Sequence, residues 1–344
     1  MVFVKNVQRN RLCEVSVKTL SKLFSVFALL LLPGIFTACR GEEKSETAGK
    51  EKIKIVVTTF PVYDWVCDIV KDKADVELLI NSGADLHSWN PSAKDIIKVT
   101  GKDTDLFVYI GGESDFWVNK LIPQMETNGV QYFSIMKENV NLLEPMEEHE
   151  HDHSHEESEG EEAEGFDPDE YDEHIWLSLK RVPLFIESIA EKISEVDEEN
   201  SDFYLKNAKI IASEKKAVYE KYCSEVEKCS NKIIVIADRN PFVYLACDLG
   251  LEIHAAFHGC SADTEASFDV VLELVNIIEE NNLSAVACCD VKNRLSETVN
   301  TAVKTRDLDV VVLDSMQGKI QDDKTYDSIM VDNLEKIKMV LASE

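Results

Sequence analysis

Basic residues are scarce in this chain. It has 36 lysines and arginines against 65 acids, a formal net charge of −29 over 344 residues. A surface of that sign repels nucleic acid and anionic lipid and attracts cations, which excludes a nucleic-acid partner. Apolar runs are scarce as well. Leu23 to Phe36 is one, too short to span a bilayer comfortably, and nothing after it approaches spanning length. There is no Walker A phosphate loop, so any ATP-driven step needs a partner ATPase. The nine cysteines follow no metal-ribbon spacing.

The N-terminus reads as an export signal. Lys5, Arg9, Arg11, Lys18 and Lys22 precede the apolar run, and small residues Thr37-Ala38 close it. Phe36-Thr37-Ala38-Cys39 resembles a bacterial lipobox, which implies a lipoprotein signal peptide over 1–38 and a lipidated Cys39. Residues 39–52 then form a polar tether to the membrane. A plain signal peptide, or a single membrane anchor with a free cysteine, is the alternative. Residues 1–38 carry five basic residues and one acid, so the remainder stands at −33. Besides Cys39 that remainder holds Cys67, Cys223, Cys229, Cys247, Cys260, Cys288 and Cys289, an odd number that assigns no disulfide.

What the chain does have is a strip of histidine alternating with acid. His149, His151, His153 and His155 are half of its eight histidines. Sixteen of the acids fall in 144–173, which contains no Lys or Arg. Such a segment cannot form a core and is expected to be a mobile loop. Imidazole is the commonest side-chain ligand for borderline metals, and a His-rich tract is a signature of metal capture. Loose, fast-exchanging metal collection is the reading, against a solvated acidic face that happens to contain histidine.

Around this strip, strands and helices alternate. Strands are expected at Ile53–Thr59, Ala74–Ile80, Leu106–Ile110 and Gln131–Ile135, with helices at Tyr63–Val70, Pro91–Thr100 and Trp117–Thr127 between them. Helices follow at Pro183–Val196 and Asp202–Cys229. A second α/β round has strands at Ile233–Ala237, Glu252–Ala256, Ala285–Cys289 and Val310–Leu313, and helices at Phe242–Leu249, Phe268–Asn281, Ser296–Lys304 and Tyr326–Leu341. The expected fold is α/β: two parallel-sheet lobes joined by one long helix, with a metal cleft between them. The boundaries are an N-terminal lobe over 53–180, a helical segment over 181–230 and a C-terminal lobe over 231–344.

His87 follows the second strand in Gly83-Ala-Asp-Leu-His87-Ser-Trp-Asn-Pro91, and His174 follows the acidic strip in Asp172-Glu-His174-Ile-Trp-Leu-Ser178. These resemble the two histidine motifs of the zinc and manganese substrate-binding proteins of bacterial ABC transporters, the cluster A-I group. Val57-Thr-Thr-Phe-Pro-Val-Tyr-Asp64, Val108-Tyr-Ile-Gly-Gly112, Trp117 and Tyr326-Asp-Ser-Ile-Met330 add to the likeness, which runs from about residue 53 to the end. The acid/His loop resembles the zinc-type members.

The resemblance implies His87 and His174 as metal ligands and a third histidine in the second lobe. Arg239, in Asp238-Arg239-Asn240-Pro241-Phe242-Val243-Tyr244, occupies that place and stays protonated. The substitute ligand is expected at Cys260, beside Gly259, or at Asp238; His258 and Asp290 are further candidates. Arg239 would then clamp an acid such as Asp238 or Glu265. A buried, inert cysteine is the other reading of Cys260. Manganese-type members carry an aspartate where Lys324 stands, which favours Zn²⁺ over Mn²⁺.

The likeness thus implies a lipid-anchored extracytoplasmic protein, a monomer, that captures Zn²⁺ and delivers it to an ABC permease and its ATPase without catalysing a reaction. A manganese-binding importer component, a metal-dependent adhesin or sensor, and a zinc hydrolase are the alternatives. The last would want a positioned general base as well as its ligands.

Overall fold

The computed structural model describes residues 52–80, 86–145, 166–259, 266–289, 291–317 and 323–342. The expected signal, Cys39 and the tether up to residue 51, the strip His149–His155, Cys260, Glu265 and Asp290 lie outside the described residues.

The first lobe comprises β1 (Ile53–Val57), α1 (Phe60–Val70), β2 (Ala74–Leu78), α2 (Ala93–Thr100), β3 (Leu106–Tyr109), α3 (Ile122–Asn128), β4 (Gln131–Ser134) and α4 (Ile135–Glu138). Its sheet runs β2-β1-β3-β4, with every pairing parallel. Nearly all of β1 and all of β3 are buried, as expected where helices cover both faces and strands become continuous apolar runs. Helix α2 starts on a capping box, in which Ser92 and Asp95 satisfy each other's backbone N–H.

Helices α5 (Val182–Val196) and α6 (Ser201–Glu227) follow. The second lobe comprises β5 (Ile233–Asn240), α7 (Val243–Leu249), β6 (Glu252–His258), α8 (Phe268–Glu280), β7 (Ala285–Cys289), α9 (Arg294–Ala302), β8 (Asp309–Leu313) and α10 (Tyr326–Leu341). Its sheet, β6-β5-β7-β8, is again all parallel and repeats the strand order of the first. The 27 residues of α6 reach about 40 Å at ~1.5 Å per residue, and they pack on α1 and α5 of one half and on α7 and α10 of the other. A single buried cluster runs from Ile55 and Trp65 through Tyr204 and Tyr222 to Ile236 and Met330. The two sheets are therefore held in one packed body.

Two expectations change. The single helix at Trp117–Thr127 is a 3-10 stretch over Glu113–Lys120 followed by α3. Pro123 lies in the first turn of α3, where its missing N–H costs nothing, whereas inside a continuous helix it would break the ladder. The acidic segment 144–173 is built into the fold at both ends. Pro145 and Tyr171 form an antiparallel bridge, Phe166 and Tyr171 stack at 6.0 Å between centroids, and Asp172 and Glu173 are buried. Two aromatics supply the apolar surface that the intervening acids lack.

Candidate metal centre

The carboxyl ends of both sheets face one region, as open α/β sheets direct their loops. His87 sits in a 3-10 turn, Leu86–Ser88, just beyond β2, anchored by the buried Leu86. His174 opens the turn Ile175–Leu177, whose three side chains are all buried. That turn is fixed from the second half. Tyr326 donates its hydroxyl to the Trp176 carbonyl at 2.7 Å, Trp176 Nε1 donates to the Ser315 carbonyl at 2.9 Å, and Tyr244 donates to the Asp172 carbonyl at 2.8 Å. Each hydroxyl or indole N–H that burial would otherwise leave unpaired becomes a bond across the boundary between the lobes.

Both imidazoles are held from behind. Asp172 Oδ1 accepts from the His174 backbone N–H at 2.8 Å and lies 2.9 Å from His174 Nδ1. Glu173 Oε1 lies 3.0 Å from His87 Nδ1. Ser114 ties Glu173 down, its hydroxyl donating to Oε1 at 2.6 Å and its backbone N–H to Oε2 at 2.9 Å. A carboxylate at Nδ1 selects the tautomer that carries its proton there, so each ring presents a bare Nε2 lone pair forward. The packing is close enough to demand glycine twice. A Cβ on Gly112 would lie 2.3 Å from Glu173 Cβ, and one on Gly259 would lie 3.0 Å from His174 Cε1.

The two rings stand 5.4 Å apart by centroid. Their Nε2 atoms meet at Gln317, whose Nε2 is 2.6 Å from that of His87 and 2.9 Å from that of His174. Gln317 lies beyond β8, so the second lobe contributes to the same point. Among the described residues, His87, Glu173 and His174 are the one group of three histidine, cysteine or acid ligands close enough to share an ion. Glu173 already faces the back of the His87 ring and Ser114, which makes it the orienting member of that group.

Charge follows this geometry. Burial alone would push the Glu173 carboxyl up, but the His87 hydrogen bond, the two imidazoles and Ser114 outweigh it and hold it at about 2. Burial opposes charging of His174, yet the charge and hydrogen bond of Asp172, with Glu173, raise its pKa; Arg239 acts in the opposite direction. Asp115, buried beneath the site, is pushed up to about 7, chiefly by burial and further by the charge of Glu173, with the Gly111 N–H opposing. Its pKa is raised on folding, so its contribution to stability is full below the unfolded carboxylate range and is lost as pH rises through about 7. The loss is on the order of 4 kcal/mol at ~1.4 kcal/mol per unit. Asp115→Asn is expected to flatten that part of the profile. Chemical denaturation at pH 5 and pH 8 checks it, and an equal pH response in the two proteins would show that Asp115 does not titrate in that window.

The second-lobe candidates are placed as follows. Asp238 Oδ1 accepts the Arg239 backbone N–H at 2.9 Å, and Oδ2 accepts from Asn293 Nδ2 at 2.6 Å and from the Cys289 N–H at 3.2 Å. The carboxylate thus joins β5 to β7 and the start of α9, and the structure does not bring it into the histidine group. Arg239 stands at the end of β5, near enough to His174 to affect its charge. His258 ends β6, paired with Asn240. Sequence reasoning missed Gln317, Glu173, Asp172 and Ser114 as site residues. The two acids directly precede His174 in the motif already singled out. Gln317 lies four residues past the end of β8, on the edge where the other strand-end candidates were sought, but a neutral amide attracts no attention as a metal ligand.

A family described as zinc-uptake complex component A, periplasmic (ZnuA), matches residues 55–340. The chain belongs to this family. It is 31% identical over 328 residues to the high-affinity zinc uptake system protein ZnuA of Bacillus subtilis (strain 168), covering 93% of this chain and 97% of that one. It is 29% identical over 326 residues to the zinc-binding lipoprotein AdcA of Streptococcus pneumoniae serotype 4, covering 94% of this chain but spanning only 60% of that relative. The solved Zn(II)-bound ZnuA-like domain of Streptococcus pneumoniae AdcA superposes with a TM-score of 0.68 at 26% identity, over 85% of this chain and 99% of that domain. The two-lobed α/β fold expected from the sequence is the fold of this family.

Proposed function

We propose that this chain captures Zn²⁺ between its lobes and delivers it to an ABC importer, working as a lipid-anchored extracytoplasmic binding protein. One observation carries the reading. A buried imidazole and a half-buried one, each backed by a carboxylate, aim their Nε2 lone pairs at a single point reached from the other lobe by Gln317. His87 and His174 hold the ion, Gln317 closes the site from the second lobe, and Asp172 and Glu173 orient the rings. Neutral nitrogen donors suit zinc better than manganese, which prefers carboxylate-rich sets. The work is binding and release rather than catalysis. Cys39 carries the lipid, and a permease with its ATPase supplies the energy. Cys260 remains a candidate for an additional thiolate donor. Cobalt substitution reports it through charge-transfer bands in the near ultraviolet, and an unperturbed Cys260→Ser variant without such bands would dismiss it.

The acidic strip is expected to collect metal loosely, because ordering a segment of that composition around an ion costs conformational freedom. Deleting 147–165 is therefore expected to leave one tight zinc equivalent and remove weaker ones. Calorimetric titration of metal-stripped protein, with manganese as competitor, tests both statements. Loss of the tight equivalent on deletion would make the strip part of the site. Manganese displacing zinc at comparable concentration would overturn the metal assignment.

A further inference from the structure

The position of Gln317 has a chemical consequence beyond its membership of the site. Its Nε2 lies 2.6 Å and 2.9 Å from the two histidine Nε2 atoms, and its Oε1 accepts the Ser315 hydroxyl at 3.0 Å. With both Nδ1 protons directed at Asp172 and Glu173, each Nε2 of the neutral rings is an acceptor. An amide nitrogen carries two protons, so one –NH₂ group can donate to both rings at once. A carboxylate at this place could not, since ionised it only accepts. The loop is held for this contact. Met316 adopts a left-handed φ of 61°, its N–H donates to Asp314 Oδ1 at 2.9 Å, and Asn333 donates to the Asp314 carbonyl at 2.8 Å.

A metal ion needs the same two lone pairs. When it takes them, the –NH₂ group loses its acceptors and would face a cation with its protons. Rotating the terminal amide by half a turn removes the conflict, bringing Oε1 to the ion and Nε2 to Ser315. A hydroxyl both donates and accepts, so the fully buried Ser315 bonds either end of the amide without loss. We infer that Gln317 is a two-position group: its amide nitrogen clamps His87 and His174 together in the ion-free protein, and its amide oxygen turns to the metal on loading. This rests on His87 and His174 being the zinc ligands. The ion then competes with an internal donor rather than entering an open pair of imidazoles.

The test uses the metal-stripped chain labelled with ¹⁵N-glutamine, the Gln317 side-chain signal being assigned by its loss in Gln317→Leu. Without metal, both amide protons are expected to be protected from water exchange by at least about tenfold relative to the exposed glutamines. One equivalent of Zn²⁺ should shift them and change that protection. Ser315→Ala should destabilise both positions, leaving the zinc-dependent shift present but the protection reduced in each state. Zinc bound by calorimetry with the Gln317 amide signals exchanging freely throughout, or unchanged by the metal, overturns the two-position assignment while leaving the zinc site intact. Absence of any tight zinc binding overturns the site itself.

Discussion

His174→Ala is expected to weaken zinc binding by at least about a hundredfold, roughly 3 kcal/mol. The ring is fully buried, supplies one of the two convergent Nε2 atoms, and has Asp172 committed to it through both its backbone N–H and Nδ1. Alanine removes the donor atom and leaves the Asp172 carboxylate without the ring it orients. His87→Ala is expected to act with similar size, because the remaining imidazole and an amide make a weak pair. Competition against a chromophoric chelator reads the affinity, and circular dichroism of the same samples separates it from misfolding. An affinity unchanged in either folded variant removes that histidine from the site.

Glu173→Gln carries the second large effect, a tenfold to hundredfold loss of zinc affinity, the usual range for a group that orients a metal-bound histidine. The substitution keeps volume, so packing against Gly112 survives. It replaces one accepting oxygen by a donating –NH₂ where Ser114 and His87 Nδ1 both supply protons. Whichever way the amide lies, one donor faces another. His87 then loses its tautomer preference and part of its orientation. Stability should fall as well, since a buried hydrogen bond to a charged group contributes about 1.5–3 kcal/mol. A variant that binds zinc as the parent does would show that the Ser114 hydroxyl, 3.1 Å from His87 Nδ1, is enough to hold the ring.

The sheets were legible because several strands are continuous apolar runs, Leu106 to Tyr109 and Ala285 to Cys289 among them, which parallel strands covered on both faces require. That His87 and His174 belong together was legible because both sit in motifs matched, in order, by the zinc and manganese binding proteins, and the structure brings their rings to 5.4 Å. The closing group was not. Gln317 reveals itself only through the register that carries β8 to the site and the left-handed turn at Met316 that aims the loop. The partition of Asp172 and Glu173, one acid behind each ring, is likewise invisible in sequence, since the two lie side by side and diverge only through the turn at His174. Charge counting misled in one place. It read 144–173 as uniformly mobile, whereas Phe166 and Tyr171 anchor its end against the core.

X-ray absorption at the zinc edge on the metal-stripped, singly reloaded protein addresses the central claim directly. Two imidazoles with Zn–N distances of about 2.0–2.1 Å are predicted, their multiple-scattering signal dropping to one in His87→Ala and in His174→Ala. A zinc site with fewer than two imidazoles in the parent protein, or one whose imidazole count is the same in either variant, would contradict it.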